Sequence, residues 1–264
     1  MENGNIYGKP ASEKMSALKD VIGNLPQRAD TLLFVGDAAA FRSPETALAV
    51  MGLLKKAGAN YTVLPDEPSS GAEIADLLGY TEDVRQRAFG TAKALSDTGA
   101  SVIVTLDPKD AEIFMQHYPK WGAAFSERVE TATSCIAALV RSGKLKIRPV
   151  QNRKNVTYQD PCRLARDLNE EAPARELIRA TGMNLQEMFL HGKLTKCCGG
   201  EILREYSPQT ASLIAQDRLF DAKRTGASAM VTSCPGCTTS FRKCGDRSGE
   251  LEVLDLFCLL DECS

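Results

Sequence analysis

Short apolar runs alternate with amphipathic segments along most of the chain. Residues 31–35 (TLLFV) are apolar throughout, which is typical of a buried strand, and apolar residues recur at helical spacing over 44–57. The same reasoning predicts strands at 61–64 and 101–105 and helices at 72–78, 81–97 and 109–117. Strands that are separated by helices favour parallel α/β units.

The second half of the chain repeats this order. It predicts strands at 155–158, 185–189 and 228–232 and helices at 172–180, 208–224 and 236–243. The similarity extends to individual residues, because 99–110 lies over 226–237 at an offset of 127 and 69–74 lies over 197–202 at an offset of 128. We therefore predict an α/β protein of two pseudo-repeated lobes, each a small parallel sheet flanked by helices. The predicted boundaries are 1–30 for an N-terminal extension on the surface, 31–145 for the first lobe and 146–264 for the second.

Charge and composition narrow the classes of function. The chain of 264 residues carries 32 Lys and Arg against 34 Asp and Glu, so it has no basic excess to bind a nucleic-acid backbone. No apolar stretch approaches the roughly 20 residues of a spanning helix, and the start lacks the apolar core of a secretory signal. We therefore expect a cytoplasmic protein without a membrane span. Its nine cysteines then indicate metal binding or redox chemistry, because cytosolic thiols are kept reduced.

Five cysteines of the second half form a candidate metal site. Each group follows a predicted strand or lies in a strand-to-helix loop, where parallel α/β units collect ligands, so we expect them to converge. They are Cys162, Cys197, Cys198, Cys234 and Cys237. Thiolates favour iron–sulfur clusters or zinc, and five exceed the four that structural zinc needs. Adjacent cysteines normally point apart, which favours a larger or opened cluster over an ordinary cubane.

Residues around these cysteines have two interpretations. Gly199 and Gly200 allow backbone to approach a cluster closely. Four cations flank the cysteines, and they either offset the charge of a cluster or form a solvated basic face: Arg163, Arg166, Lys193 and Lys196.

The other four cysteines are interpreted as packing residues: Cys135, Cys244, Cys258 and Cys263. Cys135 lies in a helical pattern over 129–140. His117 and His191 are too isolated to be assigned a catalytic role.

The cysteine motifs resemble those of a known family. Asp-Pro-Cys162, Cys197-Cys-Gly-Gly and Thr-Ser-Cys234-Pro-Gly-Cys237 are similar to the CCG cysteine-rich domains of the B-type and D-type components of heterodisulfide reductase. The relatives include iron–sulfur subunits of lactate and glycolate oxidases and of anaerobic glycerol-3-phosphate dehydrogenase. The resemblance implies an electron-carrying subunit whose five cysteines bind a noncubane [4Fe-4S] cluster, with zinc as the alternative. In heterodisulfide reductase such clusters cleave a disulfide.

The first half departs from that pattern. Hydroxyl and carboxylate groups occupy the five places that align with the cysteines: Asp37, Ser69, Ser70, Asp107 and Asp110. Hard oxygen ligands do not hold an iron–sulfur cluster, so we expect this lobe to be a degenerate CCG repeat with a structural role. A hard divalent ion on the three aspartates is the alternative. With one cluster instead of two, the disulfide reduction of the family carries over to this chain less directly. Arg163 also stands where many relatives have histidine after the cysteine.

The resemblance implies an iron–sulfur electron-transfer subunit of a heterodisulfide reductase-like complex, with a disulfide or thiol as a candidate substrate and no catalytic residue assigned. A ferredoxin-like iron–sulfur subunit and a flavoprotein are the expected partners, with the first docking on the N-terminal extension. The complex is expected in the cytoplasm or peripheral to a membrane. The alternatives are a noncatalytic assembly module with a structural zinc or iron–sulfur site and a subunit that serves lactate, glycolate or glycerol-3-phosphate oxidation.

Overall fold

The computed structural model describes residues 4–79, 81–151, 154–244 and 251–264. Two four-stranded parallel sheets form the two lobes, with the strand orders β2-β1-β3-β4 and β6-β5-β7-β8. Because both sheets have the same order and all pairs are parallel, the second lobe repeats the topology of the first. The prediction of two pseudo-repeated α/β lobes is confirmed.

The first lobe follows two short 3₁₀ turns and helix α1. The elements up to its end are the turns Ala11–Glu13 and Ser16–Leu18, α1 (Lys19–Ile22), β1 (Thr31–Phe34), α2 (Asp37–Arg42), α3 (Pro44–Lys56), β2 (Tyr61–Thr62), α4 (Ala72–Leu78), α5 (Glu82–Ser96), β3 (Val102–Thr105), α6 (Pro108–Glu112), a π-helical segment (Ile113–His117), α7 (Tyr118–Trp121), β4 (Arg128–Thr131) and α8 (Ala132–Arg141). Proline at the first position of α3 and of α6 suits a helix start, because that N–H has no partner within the helix.

The second lobe has the same alternation. Its elements are β5 (Asn155–Gln159), a π-helical segment (Arg163–Asp167), α9 (Ala172–Ala180), β6 (Asn184–Leu185), a 3₁₀ turn (Gly192–Leu194), α10 (Glu201–Tyr206), α11 (Pro208–Lys223), β7 (Ala229–Thr232), α12 (Pro235–Cys244), β8 (Glu252–Asp255) and α13 (Leu256–Glu262). Strand β7 lies 127 residues after β3, the offset at which the sequence repeats.

Two predicted elements need correction. The strand predicted at 185–189 ends at Leu185, since Gln186 donates the last sheet hydrogen bond and the Glu187 carboxylate then pairs with Arg175. Phe189, at the end of the predicted strand, is 95% exposed. The helical pattern over 129–140 begins with strand β4, and the helix itself starts at Ala132.

One apolar core joins the two lobes. Residues of α3, such as Val50 and Leu54, belong to the same buried cluster as Phe257 and Leu260 of α13. Asp255, which caps α13 through the N–H groups of the next turn, also accepts hydroxyl hydrogen bonds from α3 and α12. The lobes therefore pack as one unit, with a cavity between them. The boundaries predicted at 30 and 145 stay predictions.

Part of the N-terminal extension enters this core. Met15 and Leu18 are buried in the shared apolar cluster, and the Lys14 side chain is 3% exposed. The expectation that the extension lies on the surface is therefore wrong for this segment. None of the helices in the described ranges is long and apolar enough to cross a bilayer.

Candidate metal centre

The five predicted cysteines line one cavity between the lobes. Cys162 follows the end of β5, Cys234 and Cys237 follow the end of β7, and Cys197 and Cys198 lie in the loop before α10. Strands β5 and β7 are parallel neighbours, so their carboxyl ends bring these loops together. The cavity has a volume of about 490 Å³, and all five cysteines contribute to its wall.

The five thiols interact with one another, and Cys198, Cys234 and Cys237 form a mutually interacting group. Cys162 interacts with Cys197, Cys197 with Cys198, Cys198 with Cys237, and Cys237 with Cys234. Hydrogen bonds from the Cys197 and Cys237 thiols lower the pKa of Cys198 well below its usual range. Interaction with Cys197, followed by burial, raises the pKa of Cys162. The neighbouring thiols therefore favour a thiolate at Cys198, and the thiolate is the form that ligates metals.

The loop that carries the paired cysteines depends on two glycines. Gly200 donates its N–H to the Cys198 sulfur at 3.4 Å, and the Ser240 hydroxyl fixes the Cys198 carbonyl at 2.6 Å. Gly199 has φ +87°, and a Cβ there would lie 2.5 Å from the Ala211 carbonyl oxygen on α11. A side chain at Gly199 would therefore push the loop away from the helix behind it.

A buried polar network holds two of the cysteine loops together. The fully buried Arg218 of α11 donates to the Gln159 side chain and, at 2.8 Å, to the Leu190 carbonyl. Gln159, at the end of β5, donates to the Lys196 carbonyl at 3.0 Å, next to the paired cysteines. The sequence analysis missed this network, since an arginine within a helical pattern gives no sign that it is buried.

Asp160 adds a second set of bonds to the same loops. Its carboxylate accepts two hydrogen bonds from Arg175, at 2.7 and 2.9 Å, and one from the Gly192 N–H at 2.8 Å. Arg175 also pairs with Glu187. Asp160 lies two residues before Cys162, so its carboxylate connects the Cys162 loop with the loop that leads to Cys197.

The four flanking cations divide into two pairs. Arg163 and Arg166 line the cavity, and Arg166 interacts directly with the Cys162 sulfur. Lys193 is exposed, and Lys196 pairs with two carboxylates of α11 at 2.8 Å. The interpretation as a charge-offsetting group therefore fits Arg166, whereas Arg163 pairs with Asp76 and Asp167. The interpretation as a solvated basic face fits the two lysines.

The five aligned positions of the first lobe also lie close to one another, and one of them, Asp37, pairs with an ammonium group. Lys14 Nζ lies 2.6 Å from Asp37 Oδ1 and 3.0 Å from Glu67 Oε1, and Ser69 donates to Asp37 at 2.6 Å. Ser70 donates to Asp110, and the Asp107 side chain caps α6. A lysine from the extension thus supplies one of the positive charges on this side. The sequence analysis missed Lys14 and Glu67.

Across the described ranges, no three Cys, His, Asp or Glu side chains surround a single point as one metal ion requires. The five cysteines instead share the wall of the cavity. Asp37, one of the three aspartates considered for a divalent ion, pairs with Lys14.

The remaining cysteines and both histidines are not among the described residues that line this cavity, although Cys244 packs against the apolar cluster that contains three of the five cysteines. Cys263 is buried in the shared core, and burial raises the pKa of Cys135 to about 11 and that of Cys258 to about 12. His117 Nε2 lies 2.8 Å from a Glu112 carboxylate oxygen, and His191 Nδ1 lies 2.7 Å from a backbone carbonyl. These positions agree with packing roles.

The fold and the cavity define a two-lobed α/β protein with a cysteine-rich site between its lobes. Residues 156–242, which span the described cysteine loops, match the family model of the CCG cysteine-rich domain. The second lobe therefore carries a CCG cysteine-rich domain, as the motifs predict.

Curated relatives share this similarity over most of the chain. A probable membrane-anchored ferredoxin of Chromohalobacter salexigens is 30% identical over 80% of the chain and 32% of its own length. The D-type component of the dihydromethanophenazine:CoB–CoM heterodisulfide reductase of Methanosarcina barkeri is 26% identical over 88% of the chain and 58% of its own length. The chain thus spans between about a third and three fifths of these relatives. A hypothetical protein of Helicobacter pylori shares the fold, with a TM-score of 0.58 and 11% identity over 99% of this chain and 55% of that one.

Proposed function

We propose that the chain is an iron–sulfur electron-transfer subunit of a heterodisulfide reductase-like oxidoreductase. The observation that carries the proposal is the meeting of five thiols from three loops in one cavity. Relatives that are named as a ferredoxin and as a heterodisulfide reductase subunit support it. In this proposal one cluster is held by the five residues Cys162, Cys197, Cys198, Cys234 and Cys237.

The donor set fits such a cluster. Thiolates are the soft ligands that iron–sulfur centres use, and a cluster supplies reversible transfer of single electrons. The Gly200 N–H at the Cys198 sulfur and the Arg166 guanidinium near Cys162 would offset negative charge. Because the adjacent Cys197 and Cys198 both line the cavity, we favour an opened, noncubane [4Fe-4S] cluster over a cubane. Zinc is the less favoured alternative, since structural zinc needs four ligands.

Anaerobic reconstitution with iron and sulfide tests the assignment. We expect about four irons per chain, with broad visible absorbance that bleaches on reduction. Cys198→Ser is expected to lose iron, whereas Cys263→Ser, a substitution at a buried cysteine of the core, is expected to retain it. A chain that takes up zinc alone, or a Cys198→Ser variant with unchanged iron content, would contradict the proposal.

Direct chemistry on a disulfide or thiol is a second candidate function. The cavity has the size of a small-molecule site, and beside the cysteines it has apolar side chains and cations. The apolar part includes Ile202, Leu203 and Tyr206, and the cations include Lys109 and Arg166. A disulfide or thiol ligand should then perturb the paramagnetic spectrum of the reduced, reconstituted chain. An unchanged spectrum at saturating ligand would exclude direct chemistry on the ligand, and electron transfer would remain as the function.

The exposed position of Cys197 suggests where electrons enter. Cys197 is exposed while Cys198, Cys234 and Cys237 are buried, so one edge of the proposed cluster faces the surface. In our proposal a ferredoxin-like iron–sulfur subunit docks near this edge rather than on the N-terminal extension, part of which is buried, and a flavoprotein completes a complex that is cytoplasmic or peripheral to a membrane. Service to lactate, glycolate or glycerol-3-phosphate oxidation is the alternative assignment of the complex.

A noncatalytic assembly module is the competing class of function. In that case the cysteine site only stabilises the second lobe. Cys198→Ser would then lower the free energy of unfolding and leave the turnover of the assembled complex unchanged. Our proposal predicts that turnover falls with the iron content.

A further inference from the structure

Four buried carboxyl groups of the first lobe lie beside the cysteine cavity. They are Asp37, Glu73, Asp107 and Asp110, each no more than 4% exposed, and we call them the buried acid cluster. Glu73 and Asp107 line the same cavity as the five cysteines. A low-dielectric wall of this kind makes each carboxylate sensitive to any charge that is added inside the cavity.

One oxygen of this cluster has no hydrogen-bond partner among the described residues. Asp110 Oδ2 is buried against Gly36, while Oδ1 accepts the hydrogen bond from Ser70. A buried oxygen without a donor is unfavourable for a carboxylate and suits a carboxylic acid, whose proton lowers its charge. The unpartnered oxygen therefore marks a place for a bound proton.

The balance of charge around the cluster also requires protons. Together with Glu67, the region holds five buried carboxyl groups, whereas the cations that act on them are Lys14, Lys109 and Arg163. Burial, together with repulsion from Asp37 and Asp107, raises the pKa of Glu73 to about 8, and burial raises the pKa of Asp110 strongly. At neutral pH some of these groups therefore carry protons.

Charged groups face Glu73 from several elements. Its carboxyl group is acted on by Lys109 of α6, by Asp37 of α2 and by Asp107, the cap of α6. Asp110 of α6 is acted on in turn by Asp107, Glu73 and Asp37. From the second lobe, Arg163 acts on Asp107, and Cys234 acts on Lys109. On α10, which packs against α4, Arg204 bonds to Ser240 and Glu205 pairs with Arg42. Lys109 thus links the acid cluster electrostatically with the cysteine side of the cavity.

We propose that Glu73 and Asp110 take up a proton when an electron enters the cysteine site across the cavity, and release it when the electron leaves. The inference rests on the proposed iron–sulfur function. Each event adds one electron from an iron–sulfur or flavin donor to the cysteine site. It also adds one proton from water, and this proton forms an O–H bond on a carboxylate oxygen. The two added charges cancel, so the electron does not leave an uncompensated charge in a low-dielectric cavity.

A redox titration of the reconstituted chain from pH 6 to pH 9, with dithionite as the reductant, tests the proposal. For one proton per electron, a tenfold change in proton concentration shifts the midpoint potential by up to about 59 mV. We expect a potential that falls as pH rises and a clearly smaller slope in Glu73→Gln. Glu82→Gln, which changes an exposed glutamate of α5, should keep the full slope.

Redox-difference infrared spectra provide a second readout that does not depend on a variant. Reduction of the wild-type chain should increase the carbonyl stretch of a protonated carboxylic acid, and Glu73→Gln or Asp110→Asn should diminish that band. A loaded chain whose potential is independent of pH and whose spectrum lacks the band would overturn the proton proposal alone. A chain that binds no iron and sulfide would instead overturn the proposed function.

Discussion

Lys14→Met is expected to destabilise the chain strongly, because it removes a buried ammonium and leaves its partners in place. The Lys14 side chain is 3% exposed, and its nitrogen lies 2.6 Å from Asp37 and 3.0 Å from Glu67. It also donates to the Pro68 carbonyl at 3.1 Å and lies 5.2 Å from the centre of the Phe34 ring. Removing one partner of a buried ion pair costs about 3–5 kcal/mol, since the other charge stays buried without compensation.

Urea unfolding of the metal-free chain at pH 7 measures this loss directly. Lys19→Met, at an exposed position of the same segment, is the matched control and should stay within about 0.5 kcal/mol of wild type. Adding Glu67→Gln to Lys14→Met should recover part of the loss, because one buried charge is then absent. If Lys14→Met costs no more than Lys19→Met, the assignment of Lys14 as the internal cation of the first lobe is wrong.

Three further predictions concern stability and are checked by unfolding of the metal-free chain. Gly199→Ala should lower the free energy of unfolding by about 2–4 kcal/mol, because φ is positive there and the new Cβ would approach Ala211 closely. Gly200→Ala, with open space around it, should cost less, and equal losses would show that the close approach to Ala211 has no effect. Asp255→Ala should cost about 2–4 kcal/mol, because it removes a helix cap and an acceptor for two threonine hydroxyls of different lobes. The pKa of Glu73 is raised to about 8, so the folded chain binds more protons than the unfolded chain from about pH 5 to 8. The free energy of unfolding should therefore fall by about 1–3 kcal/mol from pH 6 to 8. Glu73→Gln should flatten this pH profile, and an unchanged profile would refute the assignment.

The internal repeat made the architecture predictable. Strands β3 and β7 lie at the offset of 127 that the sequence shows, and both sheets adopt the same strand order. Strands β4 and β8 escaped the sequence analysis, because residues such as Arg128 and Glu252 break the apolar runs on which it relied. These edge strands are held by pairing with β3 and β7, which is a tertiary effect.

The convergence of the five cysteines followed from their positions after strands, whereas the groups that surround them did not follow from any local pattern. Arg218 and Gln159 are 59 residues apart and meet only in the folded chain. Lys14 lies in a polar, glycine- and proline-containing segment, and its partners are Asp37 and Glu67 in other loops. Spacing along a sequence identifies ligands that share one sheet edge, but it does not reveal long-range contacts of single charged side chains.

The arrangement of iron around the cysteines tests the central claim most directly. In crystals of the reconstituted chain, anomalous scattering from iron should place the metal in the cavity between the lobes. We predict iron atoms bonded to all five sulfurs, from Cys162, Cys197, Cys198, Cys234 and Cys237. Iron bound elsewhere, or a single zinc ion on four of these sulfurs, would contradict it.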